Sequence, residues 1–296
     1  MTAVAISNPD KVLFPDDGIT KADLAAYYER IADTMLPHVR GRPVHMQRFP
    51  DGIDGEEIQQ KQAPDYFPDF VRRVQVERRG GGSVTHPVID NAETMVYLAD
   101  QACVTPHTWL ARADRLDNPD QLIFDLDPSS DLDPVRATAK ALRALLEEEL
   151  GLVAYLKTTG SRGYHVVVPL DRGAGFDQAR AFARGAAKVL ATREPSRLTV
   201  EQRKDKRRGR LYLDTARNAY AQTAVAPYAV RALAGAPVAC PIDWRELSRV
   251  EPRTFTLRNI QRRLARRRDA WAGIWDDARS LREPGRRLEK LSAASP

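Results

Sequence analysis

Apolar and polar positions alternate most clearly along Leu122-Ile123-Phe124-Asp125-Leu126-Asp127-Pro128. Leu122, Phe124 and Leu126 fall on one face of a short strand, and Ile123, Asp125 and Asp127 on the other. Pro128 closes it, because proline donates nothing to a ladder. Further strands are predicted over 44–48, 153–157, 166–169 and 211–214. A hairpin is predicted from 70–76 and 83–89 around Arg78-Arg79-Gly80-Gly81-Gly82. Those glycines suit a hairpin reversal or a phosphate cradle.

Helical spacing groups Leu24, Tyr27, Tyr28, Ile31, Met35 and Leu36, with Thr20 as N-cap, Asp23 three residues on and a stop near Gly41-Arg42-Pro43. A second helix is expected over 91–102. A third is capped by Asp133 with Pro134 at its first position; it buries Val135, Leu142, Leu145, Leu146 and Leu150 and ends at Gly151. A fourth covers 176–190. Residues 8–15 read as an irregular lead-in. Leu257, Ile260 and Leu264 recur at helical spacing with Arg262, Arg263, Arg266, Arg267 and Arg268 outside, as a surface helix or a clamp on a polyanion. The element order gives an α+β chain with a mixed central sheet flanked by helices.

With 296 residues, 43% of them hydrophobic, the chain can bury a large core. A net charge of +6 permits a polyanionic partner without requiring one. The two cysteines, Cys103 and Cys240, match no metal or disulfide spacing and read as reduced thiols of a cytoplasmic protein. The first ten residues do not read as a signal peptide, and no apolar run reaches membrane-spanning length. There is no internal repeat or linker. P-loop, dinucleotide-binding, zinc and Gly-x-Ser-x-Gly signatures are absent.

The candidate chemistry lies in three places. Asp125 and Asp127 share a strand face roughly 7 Å apart, a spacing at which two carboxylates can jointly hold hard divalent cations. Buried without a cation, such a pair would be costly. Thr158-Thr159-Gly160-Ser161-Arg162-Gly163-Tyr164-His165 is a hairpin turn whose N–H groups, hydroxyls and cations also suit a phosphate. Asp214 ends a predicted strand beside the basic run 203–210, placing a third acid next to cations. His107, Lys11 and Lys21 have ordinary structural or solvated readings on their own.

Together these pieces make nearly the whole chain resemble the polymerase domain of bacterial ATP-dependent end-joining ligases and its stand-alone relatives, within the archaeo-eukaryotic primase superfamily. The resemblance is carried by Asp125-Leu126-Asp127-Pro128, by Thr159 to His165 (matching S-G-x-x-G-x-H), and by Tyr212-Leu213-Asp214. The flanking stretches Asn8 to Pro15 and Ala226 to Ala232 match as well. It implies a primase-polymerase architecture with an RRM-like core as one domain. That domain would comprise an N-terminal DNA-binding part of about 1–110, a catalytic core of about 111–245 and a basic helical tail of about 246–296.

By the same resemblance the activity is nucleotidyl transfer onto a DNA primer, with two Mn²⁺ or Mg²⁺ ions held by Asp125, Asp127 and Asp214 as catalytic acids. NTPs or dNTPs are the substrates, with ribonucleotides preferred. Thr159, Gly160, Ser161, Arg162 and His165 would bind the nucleotide, joined by His107, Arg231 and Arg207. Lys11 and Lys21 would bind a 5′-phosphate across a gap, and Lys61 is a candidate DNA contact. Implied partners are DNA with short gaps or 5′-phosphorylated ends, a separate ATP-dependent ligase, and Ku as a further candidate; no membrane is implied.

Two departures stand out. Thr159 replaces the usual Ser, and Glu57-Ile58-Gln59-Gln60-Lys61 lacks the paired aromatics that end-joining members stack on template bases. The missing aromatics favour gap filling over joining of broken ends. An end-joining polymerase, a DNA-end-binding module that recruits a ligase, and a metal-dependent nuclease are the alternatives.

Overall fold

The computed structural model describes residues 4–128 and 131–294; the first three positions of the N-terminal stretch read above lie outside them. The chain forms two compact units, each assembled from separate stretches. The first takes residues up to 116 with 223–240 and 253–269. The second takes 117–222, 241–252 and the chain from 270 on. The basic tail is therefore shared between units.

Among the described residues the elements run β1 (Val12–Phe14), β2 (Ile19–Thr20), α1 (Lys21–Val39), β3 (Arg42–Arg48), β4 (Ile58–Gln60), β5 (Arg73–Glu77), β6 (Ser83–Ile89), α2 (Ala92–Asp100) and β7 (Cys103–Trp109). Then come β8 (Gln121–Leu126), α3 (Leu132–Ala144), β9 (Tyr155–Thr158), β10 (Tyr164–Pro169), α4 (Phe176–Arg193), β11 (Leu198–Thr199) and β12 (Leu211–Tyr212). The chain finishes with β13 (Thr223–Val225), β14 (Pro241–Ile242), α5 (Ile260–Arg266) and α6 (Arg282–Ala294). None of these helices is long and apolar enough to cross a membrane.

In the first unit an antiparallel sheet runs β13-β7-β3-β6-β5, with β4 on β3. Helix α1 starts as the sequence implies: Asp23 N–H donates to Thr20 Oγ1 (3.2 Å) and Thr20 N–H to Asp23 Oδ2 (2.9 Å). Its apolar face is buried, each large side chain contributing roughly 1.5–3 kcal/mol. Tyr27 Oη donates to the Tyr228 carbonyl (2.7 Å) and Tyr28 Oη to that of Val104 (2.8 Å). The returning segment 223–240 is thereby tied to the helix. Residues 8–15 are more ordered than an irregular lead-in: Val12 pairs with Thr20, because the turn at Gly18 (φ +61°) folds β1 back onto β2.

The second unit carries the order β14-β9-β10-β8. Strand β10 pairs antiparallel with both β8 and β9, so these two run parallel without touching. In place of one mixed central sheet there are two principal antiparallel sheets, and among the described residues β11 with β12 forms the parallel ladder. The α+β class holds. Beyond β8, Asp214 forms an isolated antiparallel bridge with Asp125. The strand expected over 211–214 thus shrinks to Leu211–Tyr212 plus one bridge. The resulting order, bridge-β8-β10-β9 with α3 and α4 as crossovers, is that of an RRM-like core. Leu122, Phe124 and Leu126 are fully buried, and α4 lies against β8.

Two helix boundaries move. Helix α3 begins at Leu132, so Asp131 takes the cap position and Pro134 sits at the third residue. Proline is tolerated there because N–H groups of a first turn lack intrahelical partners. In the tail, Leu257 lies before α5 and its N–H donates to the Ala236 carbonyl (2.9 Å), which keeps it out of the helix. Cys103 and Cys240 are both buried, and burial pushes the Cys103 thiol up to about 12.

Candidate active site

The site of the second unit is a row written across its sheet. Asp214 bridges Asp125, Asp125 stands opposite His165 in the β8–β10 ladder, and His165 stands opposite Lys157 in the β10–β9 ladder. Residues directly opposite in antiparallel strands project to the same face. Two acids, an imidazole and a lysine from four chain segments therefore share one line. The Asp125–Asp214 link is made by backbone, with N···O distances of 2.9 and 3.3 Å in the two directions. The outer edge of β8 is completed by Asn218, whose amide accepts from Ile123 N–H (2.8 Å) and donates to its carbonyl (2.7 Å). One side chain stands in for the missing strand.

His165 Nε2 lies 3.4 Å from Asp125 Oδ1, and Arg217 Nε lies 3.9 Å from Asp125 Oδ2. Burial, reinforced by Lys157 and opposed by Asp125, lowers the His165 pKa to about 4, so the ring is neutral at pH 7. Burial alone would raise the Asp125 carboxyl, but His165, Arg217 and Lys157 outweigh it and hold it below the usual carboxylate range. His165 Nε2 faces the buried Asp125 Oδ1 but is too poorly placed to complete a hydrogen bond to it. Asp127, one residue past β8, meets Arg162 Nη2 at 3.1 Å, and Asp214 Oδ1 accepts the Ala216 N–H (2.7 Å).

The loop from Thr159 to Gly163 is closed on itself. Thr159 N–H donates to the Gly163 carbonyl (3.0 Å), and Thr159 Oγ1 accepts from the N–H groups of Ser161 (3.3 Å) and Gly163 (3.2 Å). The hydroxyl thus shapes the turn from within, a role open equally to Ser and Thr. Gly163 is obligatory. A Cβ there would lie 1.9 Å from the Leu126 carbonyl oxygen and 2.8 Å from Asp127 Oδ1. The loop consequently sits directly against the strand end that carries the acids.

A divalent cation fits this donor set by type, since three carboxylates offer hard oxygens and one buried oxygen of Asp125 lacks a completed hydrogen bond. Among the described residues no three acids, cysteines or histidines yet converge as a metal cluster.

The structure brings together Asp125, Asp127, Asp214, Thr159, Gly160, Ser161, Arg162 and His165 in one unit. Arg207 belongs to the same unit. Its guanidinium lies 4.1 Å from the Tyr212 ring centroid and donates to the Glu201 (3.1 Å) and Gln202 (2.8 Å) carbonyls. Lys157 and Arg217 were missed by sequence reasoning. The alternation of β9 carries a signal for Lys157, and the three-residue step after Asp214 one for Arg217.

The remaining candidates belong to the first unit. His107 stands opposite His45 in the β3–β7 ladder, ring centroids 6.3 Å apart, a pairing with no local sequence signal. Arg231 N–H donates to the Pro237 carbonyl (2.7 Å), and Lys61 is exposed just past β4. The Lys11 and Lys21 backbones meet, with N···O 2.8 Å, but each ammonium already faces an acid. Lys11 Nζ is 2.8 Å from Asp51 at the surface. Lys21 Nζ is buried 3.6 Å from Asp100 and donates to Ser7 Oγ (3.0 Å).

Three comparisons bear on the chain as a whole. Residues 20–271 match the family model described as "LigD, primase-polymerase domain". The "Multifunctional non-homologous end joining DNA repair protein LigD" of Mycobacterium tuberculosis is 33% identical over 99% of this chain. The corresponding protein of Pseudomonas aeruginosa is 36% identical over 88%. The chain spans 41% and 31% of those relatives' lengths. A solved structure, "Polymerase Domain from Mycobacterium tuberculosis Ligase D in complex with DNA", superposes with a TM-score of 0.84 at 31% identity, covering both chains completely. With the acid row, the glycine-locked loop and these likenesses in agreement, the chain belongs to the LigD primase-polymerase domain family.

Proposed function

We propose that this protein is a DNA-dependent nucleotidyltransferase that extends primers, fills short gaps in DNA repair and prefers ribonucleotides. The observation that carries this reading is the row Asp214-Asp125-His165-Lys157, in which a buried Asp125 oxygen is left without a completed hydrogen bond. In the reaction the primer 3′-oxygen bonds to the α-phosphorus of the incoming triphosphate, pyrophosphate leaves, and the hydroxyl proton is released. Two divalent cations, Mn²⁺ or Mg²⁺, supply charge stabilisation and a more acidic 3′-hydroxyl when bound. Asp125, Asp127 and Asp214 would hold them. Arg162, which pairs with Asp127 at 3.1 Å, has planar donors suited to phosphate oxygens. Neutral His165 donates to a phosphate oxygen without adding charge beside Asp125. Arg217 lies on the other side of that carboxylate, where negative charge accumulates during transfer.

In the first unit, His107 contacts the nucleotide sugar, Arg231 its outer phosphates, Lys61 the template strand, and Lys11 with Lys21 a downstream 5′-phosphate. A partner ligase, with Ku, completes the repair in the cytoplasm. Joining of broken ends is the second reading. Two observations favour it: the names of the relatives, and Tyr66, an aromatic 64% exposed five residues past Lys61 that offers a stacking face. The test is extension of a labelled primer across a one-nucleotide gap, with NTPs or dNTPs and Mn²⁺. The expected result is one added nucleotide, more efficiently from NTPs. Cleavage of the primer would support the nuclease instead, and binding without extension the end-binding module. Extension across a synapsed pair of 3′ overhangs that exceeds gap filling would select the second reading.

A further inference from the structure

One face of α4 carries Arg180, Arg184 and Lys188 at i, i+4 and i+8. Such residues stack one above another, roughly 6 Å apart along the axis, and like charges so placed oppose helix formation. None of the three makes an ion pair or hydrogen bond among the described residues. The cost has no structural return within the protein, although Arg193, on the same helix, is held by both oxygens of Glu149. The three cations line one opening of about 210 Å³, shared with Gln202, Tyr212 and Thr215. Tyr212 and Thr215 bracket Leu213-Asp214, so the opening borders the segment that carries the third acid of the row. Behind it the chain continues into the basic run 203–210, with Arg207 stacked on Tyr212.

We propose that this opening on α4 is a contact for the sugar-phosphate backbone of the primer strand, upstream of its 3′ end. It rests on the nucleotidyl-transfer reading, in which the primer terminus lies at Asp214. A strand whose last hydroxyl reaches that acid carries its preceding phosphates past the neighbouring residues. Three unpaired cations in file, one aromatic face and side-chain amide and hydroxyl groups match a phosphodiester strand: charge for the phosphates, a ring for a sugar or base, and no base-edge reading. A point ligand such as free phosphate would use one cation and leave the others unexplained, whereas a strand uses all three.

The test is a fluorescence-anisotropy titration of a single-stranded primer oligonucleotide across a range of salt. It compares the parent, the Arg180→Gln/Arg184→Gln/Lys188→Gln variant, the single Arg184→Gln variant, and Asp125→Asn. Glutamine keeps helix propensity, and the single variant covers a failure of the triple one to fold. Each lost phosphate contact lowers the slope of log affinity against log salt by about 0.7 for a single strand, so the triple variant is expected to lose about 2 and Arg184→Gln about 0.7. Asp125→Asn is expected to keep at least the parent slope. Replacing the phosphates just upstream of the 3′ end by neutral methylphosphonates should weaken the parent and leave the triple variant indifferent, the signature of a direct pairing. Equal slopes for parent and triple variant would overturn the contact. So would loss of binding to a polyglutamate peptide with oligonucleotide binding intact, which would assign the face to an acidic protein segment. Extension is scored separately: a parent that binds with the expected slope but never extends would sink the polymerase reading and leave the α4 contact standing.

Discussion

The acid row of the second unit and the lysine pair of the first handle charge in opposite ways. In the row, strand register sets every neighbour, and Asp125 ends with one buried oxygen that faces His165 Nε2 at 3.4 Å without a completed hydrogen bond. Around Lys11 and Lys21 each cation is already matched by an acid, one pair at the surface and one buried. The difference shows where ligand chemistry is built in advance and where it must displace something. A carboxylate oxygen without a completed hydrogen bond, held on a rigid ladder, can take a new partner without breaking an ion pair. A completed ion pair binds an anion only by exchange.

The largest expected effect tests the incomplete site. Asp125→Ala should reduce primer extension at least a hundredfold, the loss of several kcal/mol of charge stabilisation, while DNA binding persists. Near-normal single-turnover extension would erase the distinction drawn for the row.

The next tests the completed pair. Lys21→Met leaves Asp100 buried without its cation and should cost about 3–5 kcal/mol, whereas Lys11→Met, at an exposed pair, should cost no more than about 1 kcal/mol. Urea denaturation of both variants checks this, and equal losses would place the lysines in the same class.

Third, Gly163→Ala should cost about 1–3 kcal/mol and lower Tm by several degrees, since its Cβ meets the Leu126 carbonyl. It should weaken extension as well, because the loop shifts away from the acids. A calorimetric scan with unchanged Tm would show the loop to be pliable instead of locked.

The fourth concerns pH. Burial first, then Lys61 and His86, lowers the His45 pKa to about 4. The unfolded chain takes up its proton at about 6.5. Stability from this group is therefore complete above about pH 6.5 and is lost as pH falls toward about 4. Thermal unfolding at pH 7, 5.5 and 4.5 should show that decline, flattened in His45→Gln. A decline identical in both proteins would remove His45 as its source.

The smallest effect sharpens the exchange idea. Asp51→Asn frees Lys11 and should raise the affinity for a gap with a 5′-phosphate by a few-fold over a 5′-hydroxyl gap, an advantage that shrinks with salt. Competitive anisotropy with the two gaps measures it, and a ratio unchanged from the parent would leave Lys11 as an ordinary surface lysine.

Much of the site was legible in the residues. The alternation through Asp125, the glycines of the loop and Asp214 behind a basic run are local patterns, and local sterics enforce them: Gly163 is required by one close carbonyl. The capping box and the buried face of α1 followed from spacing for the same reason. What spacing could not supply was pairing. That Asp214 returns to bridge Asp125 across 89 residues of chain, that Asn218 completes the strand edge, and that Lys157 shares a line with His165 depend on ladder register. So does the separation into two antiparallel sheets, because the direction of a crossover strand is local but its neighbour is not. The sequence by itself determined which groups are present and which face of its own element each takes. The tertiary structure alone decided which acids already have a cation, which one lacks a completed hydrogen bond, and which lysine is buried, because burial and charge pairing arise only between segments distant in the chain.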